Sequence, residues 1–301
     1  QRQMCIRDRF YRNIRLKINF PKIETALYLI STPIGTISDI TFRAVNVLQN
    51  VNILLAEDTR VLRKLMNLLN IDLKGRSIHS YNDNSGDEER SNYILELDRN
   101  KSIALCCDAG TPLISDPGFK LVKQVLNKGY KVISIPGACS ALVALCQSGL
   151  SSDKFFFAGF PPVKTKQKVD FFNDLISIPS TIIFFESPKR IIKTLIELGN
   201  VFGSSHNIAI CRELTKNFEE NKRGSISSII NSLTSENKLK GEFTVIVDKK
   251  KIDKPDLNFI KSDLNNLLKS KTLKDSVLII SQKYSLSRRE VYNLGLEILK
   301  S

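Results

Sequence analysis

Residues 103–118 read IALCCDAGTPLISDPG, and the reading of this stretch decides the fold. Ile103 to Cys107 form a short apolar run of strand-forming residues. The eleven positions that follow hold two aspartates, two glycines, two prolines and a serine. A plain connection from a strand to its helix needs only about 2–6 residues. This one is stiffened at Pro112 and Pro117 and freed for unusual backbone at Gly110 and Gly118. It therefore reads as a rigid wall that offers backbone N–H and C=O groups to a polar small molecule.

Working outward, the same punctuation recurs. ALYLIS (26–31) is a buried strand ended by TPIG (32–35), and a helix follows through FRAVNVLQN, with Ser38 or Asp39 as its cap. NILLAED (52–58) and SIHSYND (77–83) are further strands, each followed by a helix, VLRKLMNLLN and GDEERSNYILELDRN. After the opening stretch come the helix PGFKLVKQVLNKG, closed by Gly129, the strand YKVISIPG (130–137) and the apolar helix ACSALVALCQSGL. Strand and helix alternate throughout, which predicts an α/β fold with a largely parallel sheet covered on both faces.

A less regular block follows a boundary near 137–151, which divides the body into α/β domains at 23–140 and 141–248. FFFAGF (155–160), STIIFFES (180–187), NIAICREL (207–214) and EFTVIVD (242–248) are its strands, with helices such as PKRIIKTLIELGNVFG between them. Residues 249–301 open on the basic linker KKKIDKPD and continue as a small helical, helix-turn-helix-like appendix. Its last helix has Ser287 as N-cap and Glu290 at the capping-box position. Residues 1–22, beginning QRQMCIRDR, are expected to be a non-native or disordered extension.

Composition narrows the function classes. No apolar run reaches the roughly 20 residues of a membrane-spanning helix. Six scattered cysteines suit reduced thiols in a cytoplasmic fold, and two histidines without ligand spacing argue against a metal site. GxxxxGK[ST], GxGxxG after a strand and a nucleophile elbow are all missing, so the ligand is neither a phosphate-cradled nucleotide nor a dinucleotide. Of the net charge of +14, residues 1–22 contribute +6 (seven Lys/Arg, one Asp) and residues 249–301 another +6 (twelve against six). Only +2 is left for the body between them. Basic ends point to a polyanion, most simply nucleic acid, although solubility alone accounts for them too.

Ligands of an open parallel sheet bind beyond the carboxyl ends of its strands. TPIG, AEDTR (56–60), DAGTPLISDPG and PGACSA (136–141) all fall there. At this point the residues carry a resemblance. LYLISTPIGTISDITFRAVNVLQNVNILLAEDTR, DAGTPLISDPG, SIPGACSALVALCQSGL, FAGFPP, FFESPKRI, CRELTKNFEE and KGEFTVIV, in that order, resemble the ribosomal RNA small subunit methyltransferase I family. That family comprises the 16S rRNA cytidine 2′-O-methyltransferases, within the tetrapyrrole-methylase-type (class III) methyltransferases. The likeness covers residues 26–248, with Thr36 where Asn is usual and Cys107 and Cys139 at positions often taken by other small residues.

The resemblance implies two α/β domains with S-adenosylmethionine in the cleft between them, 16S rRNA of the small subunit as substrate, and a homodimer. It implies donor contacts at Pro33, Gly35, Asp108, Ala109, Gly110, Thr111, Pro112, Ser115, Asp116, Pro117, Gly118, Pro136, Gly137 and Ala138. A ribose hydroxyl is a poor nucleophile while protonated, so a carboxylate base is expected among Asp58, Glu57, Glu186 and Glu213. Each also has a structural reading, Glu57 or Asp58 paired with Arg60 and Glu186 with Arg190. Arg60, Lys189 and Arg190 near the cleft, and Lys271, Lys274, Lys283, Arg288 and Arg289 in the appendix, are the expected RNA contacts. Two alternatives stand beside this reading. One is a same-fold enzyme acting on a tetrapyrrole or a protein histidine; the other is a non-catalytic RNA-binding assembly factor.

Overall fold

The structure, a computed structural model, describes residues 20–236, 238–250, 257–284 and 286–300. Most of the 1–22 extension and most of the 249–256 linker lie outside the described residues. The chain divides into two compact units, one up to Lys249 and one from Lys250 on.

The first unit contains a five-stranded parallel sheet: β1 (Leu27–Ile30), β2 (Ile53–Ala56), β3 (Ile78–Ser80), β4 (Ile103–Cys106) and β5 (Val132–Ile135), in the order β3-β2-β4-β1-β5. Alternate residues of a strand face opposite sides. Tyr28 and Ile30 enter one apolar core with Val47 and Leu48 of α1 (Phe42–Asn50) and Leu62 and Met66 of α2 (Thr59–Leu68). Leu27 and Leu29 enter a second core with Tyr93 and Leu97 of α3 (Asp87–Asp98) and Leu121 and Val125 of α4 (Phe119–Asn127). Both faces are covered, so these strands read as unbroken apolar runs.

This arrangement positions the site. β1 and β4 are neighbours, yet the chain leaving β1 goes to α1 on one face while the chain leaving β4 goes to α4 on the other. Loops that part in this way open a crevice at the carboxyl edge. The crevice is flanked by TPIG and DAGTPLISDPG.

Helix α5 (Ser140–Ser148) leads into a second sheet, β6 (Phe155–Phe157), β7 (Thr181–Glu186), β8 (Asn207–Arg212), β9 (Glu220–Ser225) and β10 (Phe243–Val247), in the order β6-β7-β10-β8-β9. α6 (Thr165–Ile176), α7 (Ile191–Phe202) and α8 (Ile226–Thr234) cover one face through Phe172, Leu195, Leu198 and Ile229. α5 covers the other, where Ala144 and Leu145 meet Ile183, Ala209 and Ile246, with Ile34 of the TPIG loop in the same cluster.

The sequence reading assigns no strand directions to the second block and no strand at β9, and one expectation, the cap of α1, is corrected. The second sheet is mostly antiparallel: only β6–β7 run parallel, while β10 pairs antiparallel with both β7 and β8, and β9 with β8. β8 and β9 are joined by a turn with no crossover helix between them. β9, sequence ENKRGS, has no apolar alternation because it is an edge strand, where charge discourages further pairing. Finally, α1 is capped by neither Ser38 nor Asp39. Residues 37–39 form a short 3₁₀ turn, Ile40 is extended, and the Thr41 hydroxyl accepts from the Ala44 N–H at 3.1 Å.

Among the described residues the second unit forms three helices, α9 (Leu257–Leu268), α10 (Leu273–Tyr284) and α11 (Arg288–Lys300), around Ile260, Leu264, Val277, Ile280 and Val291. The Ser287–Glu290 capping box is formed: Glu290 N–H donates to the Ser287 hydroxyl at 3.2 Å, and Ser287 N–H to the Glu290 carboxylate at 3.2 Å.

The tightest backbone position in the long loop is Gly118. It has φ +131°, and a Cβ there would lie 2.6 Å from Leu105 and 2.8 Å from Leu113. Gly75 has φ +78° with open space around it. Gly118→Ala is therefore expected to lose about 2 kcal/mol or more in denaturant unfolding, and Gly75→Ala only about 1 kcal/mol. Equal losses would refute the packing argument.

Candidate active site

The two sheets of the first unit face each other across a cavity of about 380 Å³. This is within the range of about 300–1,000 Å³ usual for small-molecule sites. From the parallel sheet it is lined by Ile34, Glu57 and the loop residues Asp108 to Thr111, Ile114, Ser115 and Asp116. From the second sheet come Phe185 to Pro188, Leu214 and Glu242 to Thr244, with Phe160 from the loop after β6.

The loops are tied before any ligand enters. Thr32 and Gly110 exchange backbone hydrogen bonds, Thr32 N–H to Gly110 O at 2.8 Å and Gly110 N–H to Thr32 O at 3.1 Å. Cys107 Sγ donates to the Gly110 carbonyl at 3.2 Å, and Thr32 Oγ1 to the Cys107 carbonyl at 3.3 Å. Thr111 Oγ1 donates to the Ala138 carbonyl at 2.9 Å, which fastens the loop after β4 to the loop after β5. Leu113 (φ 75°) and Ser115 (φ 64°) both adopt the left-handed region. Non-glycine residues held there store strain of order 1–3 kcal/mol each, and such strain gathers at ligand clamps.

Of the expected donor contacts, Asp108, Ala109, Gly110, Thr111, Ser115 and Asp116 line the cavity. Pro112, Pro117 and Gly118 belong to the same loop without lining it. Pro33, Gly35, Pro136, Gly137 and Ala138 also stand outside the lining. Gly137 passes so close to β1 that a Cβ would sit 2.7 Å from Ser31. Gly35 backs onto Thr215, and Thr36 hydrogen-bonds that residue through Oγ1 to the carbonyl at 2.6 Å and through N–H to Oγ1 at 3.1 Å. The TPIG loop thus joins the two sheets.

The four carboxylates proposed as bases separate. Asp58 faces away from the cavity: it accepts the Arg60 backbone N–H at 2.8 Å as N-cap of α2 and grips the Arg60 guanidinium at 2.6 Å. Those hydrogen bonds hold its carboxyl down at about 2. Glu57, one residue earlier, opens on the cavity, and its carboxyl is raised by desolvation and then by the charges of Asp116 and Asp108. Asp108 and Asp116 are likewise raised, mainly by desolvation. Glu213 pairs with Lys216 at 2.9 Å.

Glu186 is fully occupied. One oxygen takes the Ser187 N–H at 2.8 Å and lies 3.1 Å from Arg190 Nε; the other accepts from Thr194 Oγ1 at 2.6 Å. Buried Lys168 donates to that same Thr194 hydroxyl at 2.8 Å. Arg190 reaches on to the Pro161 and Pro162 carbonyls and so holds the loop that carries Phe160. Glu186 and Arg190 fasten the cavity wall together. Lys189 is exposed.

Sequence reading missed the lining from the second sheet, namely Phe160, Phe185, Leu214 and Phe243 to Thr244, and the fastening pair Lys168 and Thr194. The signal is present at the ends of the strands FFFAGF, STIIFFES and EFTVIVD, whose motifs carry the family resemblance but, apart from Glu186, no site expectation.

Among the described residues no lysine or arginine lines the cavity, and five carboxylates do, of which Glu57, Asp108 and Asp116 are raised by desolvation. Such a site suits a cationic ligand and repels a phosphate. A carboxyl raised in the folded state binds more protons folded than unfolded, so stability falls as pH rises from the ordinary carboxylate range through the folded value. Asp116→Asn removes one such group. It should unfold at higher temperature than the parent at pH 7, with the gap closing toward pH 4; a variant less stable at pH 7 would contradict the electrostatic account.

Comparison with known proteins supports the same assignment. Residues 26–230 match the family described as Tetrapyrrole (Corrin/Porphyrin) Methylases. "Ribosomal RNA small subunit methyltransferase I" of Mesorhizobium japonicum is 40% identical over 250 residues, covering 82% of each chain. The protein of that name from Pasteurella multocida is 36% identical over 276 residues, covering 90% of this chain and 96% of its own. Among solved structures, uroporphyrin-III C-methyl transferase from Thermus thermophilus complexed with S-adenyl homocysteine aligns with a TM-score of 0.50 at 16% identity. That alignment covers 74% of this chain and 97% of the other, a likeness of fold. The chain belongs to the ribosomal RNA small subunit methyltransferase I family, within the tetrapyrrole methylases.

Proposed function

We propose that the protein transfers the methyl group of S-adenosylmethionine to the ribose 2′-hydroxyl of a cytidine in the decoding centre of 16S ribosomal RNA. The observation that carries this reading is the acidic, cation-free cavity at the crevice where the β1 and β4 loops part. When bound, the donor supplies a methyl carbon on a positively charged sulfur, which departs as a neutral thioether.

Asp108 to Thr111, Ser115 and Asp116 would hold the donor, their negative charge complementing the sulfonium and the ammonium. Phe160, Phe185 and Phe243 would exclude water from the reacting line. Alignment of carbon, oxygen and sulfur then supplies much of the rate.

Glu57 is the proton acceptor in this reading. It opens on the cavity and its raised carboxyl is the more effective base, whereas Asp58 is held at about 2 by Arg60. Arg60, with its side chain 89% exposed, and Lys189 face solvent for the acceptor RNA. In the helical unit Lys271, Lys274, Arg288 and Arg289 are exposed and suit phosphate contacts, while Lys283 is already paired with Asp263 at 2.5 Å. The protein would act in the cytoplasm, in keeping with the absence, among the described residues, of any helix long and apolar enough to cross a membrane. A homodimer is proposed as well, supported by Phe155 and Phe156, 46% and 42% exposed on edge strand β6.

Glu57→Gln should lower kcat for methylation of small-subunit RNA by about 10²–10⁴ with donor affinity nearly unchanged, and Asp58→Asn by less than tenfold. The parent rate should rise with pH through a midpoint above the ordinary glutamate range, and the product should be a 2′-O-methylcytidine on nucleoside analysis. Full activity of Glu57→Gln would remove the base, and a base-methylated nucleoside would overturn the proposed chemistry.

A further inference from the structure

Helix α2 leaves the cleft mouth directly after Glu57 and Asp58, with the sequence TRVLRKLMNL. Leu62, Leu65, Met66 and Leu69 turn inward to the core beside β2 and β3. The outward positions Arg60, Arg63, Lys64 and Asn67 are all exposed and follow i, i+3, i+4 and i+7, so they form one stripe. The stripe runs about 10 Å along the axis, away from the cavity.

The helix contains no acidic residue, and Arg60 stands in its first turn, where the helix dipole disfavours a cation. α1 and α4 also lack acidic residues and carry a cation in the first turn, Arg43 and Lys120; what sets α2 apart is that it starts two residues after the cavity-lining Glu57. Several cations elsewhere in the first unit are paired, as in Arg99 and Lys101 with Glu96, Lys131 with Glu24, and Arg212 and Lys222 with Glu236, while others such as Lys123 and Lys128 form no ion pair among the described residues. Among the described residues neither Arg63 nor Lys64 forms an ion pair. A row of cations with no acid among them, starting beside the entrance of a site, places positive charge where a polyanion would pass.

We infer that the exposed face of α2 is an RNA track: Arg63 and Lys64 take successive backbone phosphates of the strand whose ribose enters the cleft, and Arg60 guides it at the mouth. This inference rests on the proposed function. The acidic cavity cannot itself hold a polyanion, so the strand needs a cationic surface beside the entrance, and α2 supplies one that starts there. Asp58 uses Nε and Nη2 of Arg60 and orients the guanidinium, leaving its other N–H donors outward.

The test compares the full-length parent, Arg63→Gln/Lys64→Gln, and a control pair on α4 and its C-cap, Lys123→Gln/Lys128→Gln, which removes equal charge elsewhere. Affinity for purified small-subunit ribosomal RNA is measured from 50 to 200 mM salt, and donor binding is followed by calorimetry. The α2 pair should weaken RNA binding at least fivefold at low salt and flatten the slope of log K against log salt by about 1.4, two single-strand phosphate contacts. The control should leave the slope unchanged, and donor binding should persist in both variants. An unchanged slope in the α2 pair, or an equal loss in the control, overturns the track. A parent that binds donor and RNA but methylates no ribose would overturn the proposed activity instead, and the slope comparison would still decide the track. An acidic protein partner for α2 would leave the RNA slope untouched and so counts against it.

Discussion

Two backbone hydrogen bonds between Thr32 and Gly110 hold together the part of the structure on which the rest depends. The sheet topology sends the chain out of β1 and β4 to opposite faces, which opens a crevice. The Thr32–Gly110 bridge ties its two sides so that it stays a defined wall. From that bridge the support spreads outward: Thr111 to Ala138, Cys107 to Gly110, and Thr36 to Thr215 on the second sheet. The density of glycine and proline in DAGTPLISDPG follows from this. The loop must pass through positive φ at four positions, two of them non-glycine, while keeping its polar backbone beside the cavity.

The cavity also works against the stability of the fold. Glu57, Asp108 and Asp116 face one space, where desolvation first and neighbouring negative charge second raise their proton affinity, and at neutral pH that cost favours unfolding. A cationic ligand offsets it, so affinity and destabilisation have the same source. The second sheet contributes in a different way, through apolar lining and the buried Lys168–Thr194–Glu186–Arg190 chain that sets the Phe160 loop.

The parallel sheet was legible because strands buried on both faces leave continuous apolar runs such as ALYLI and IALC, and because each ends in Gly/Pro punctuation. β9 was not legible, since an edge strand made of ENKRGS has the composition of a loop. The antiparallel placement of β10 between β7 and β8 depends on long-range pairing that no local pattern records. At the site, the loop Asp108–Asp116 could be read from residue order alone. Glu57 and Asp58 could not be separated, because adjacent carboxylates differ here only in direction, one toward the cavity and one toward Arg60. Glu186 looked like a base for a related reason: its partners Thr194 and Lys168 are distant in sequence, and a lysine buried to 1% exposure reads in a sequence as surface charge.

The central claim is that the crevice between the β1 and β4 loops is a methyl-donor site, and calorimetric titration of the full chain with S-adenosylmethionine tests it most directly. The account predicts one site per chain with micromolar affinity, of order −8 kcal/mol, lost when Gly110, at φ +91°, is replaced by valine in a chain that remains folded. A folded parent chain that shows no heat of binding, or a Gly110→Val variant that binds as the parent does, would contradict it.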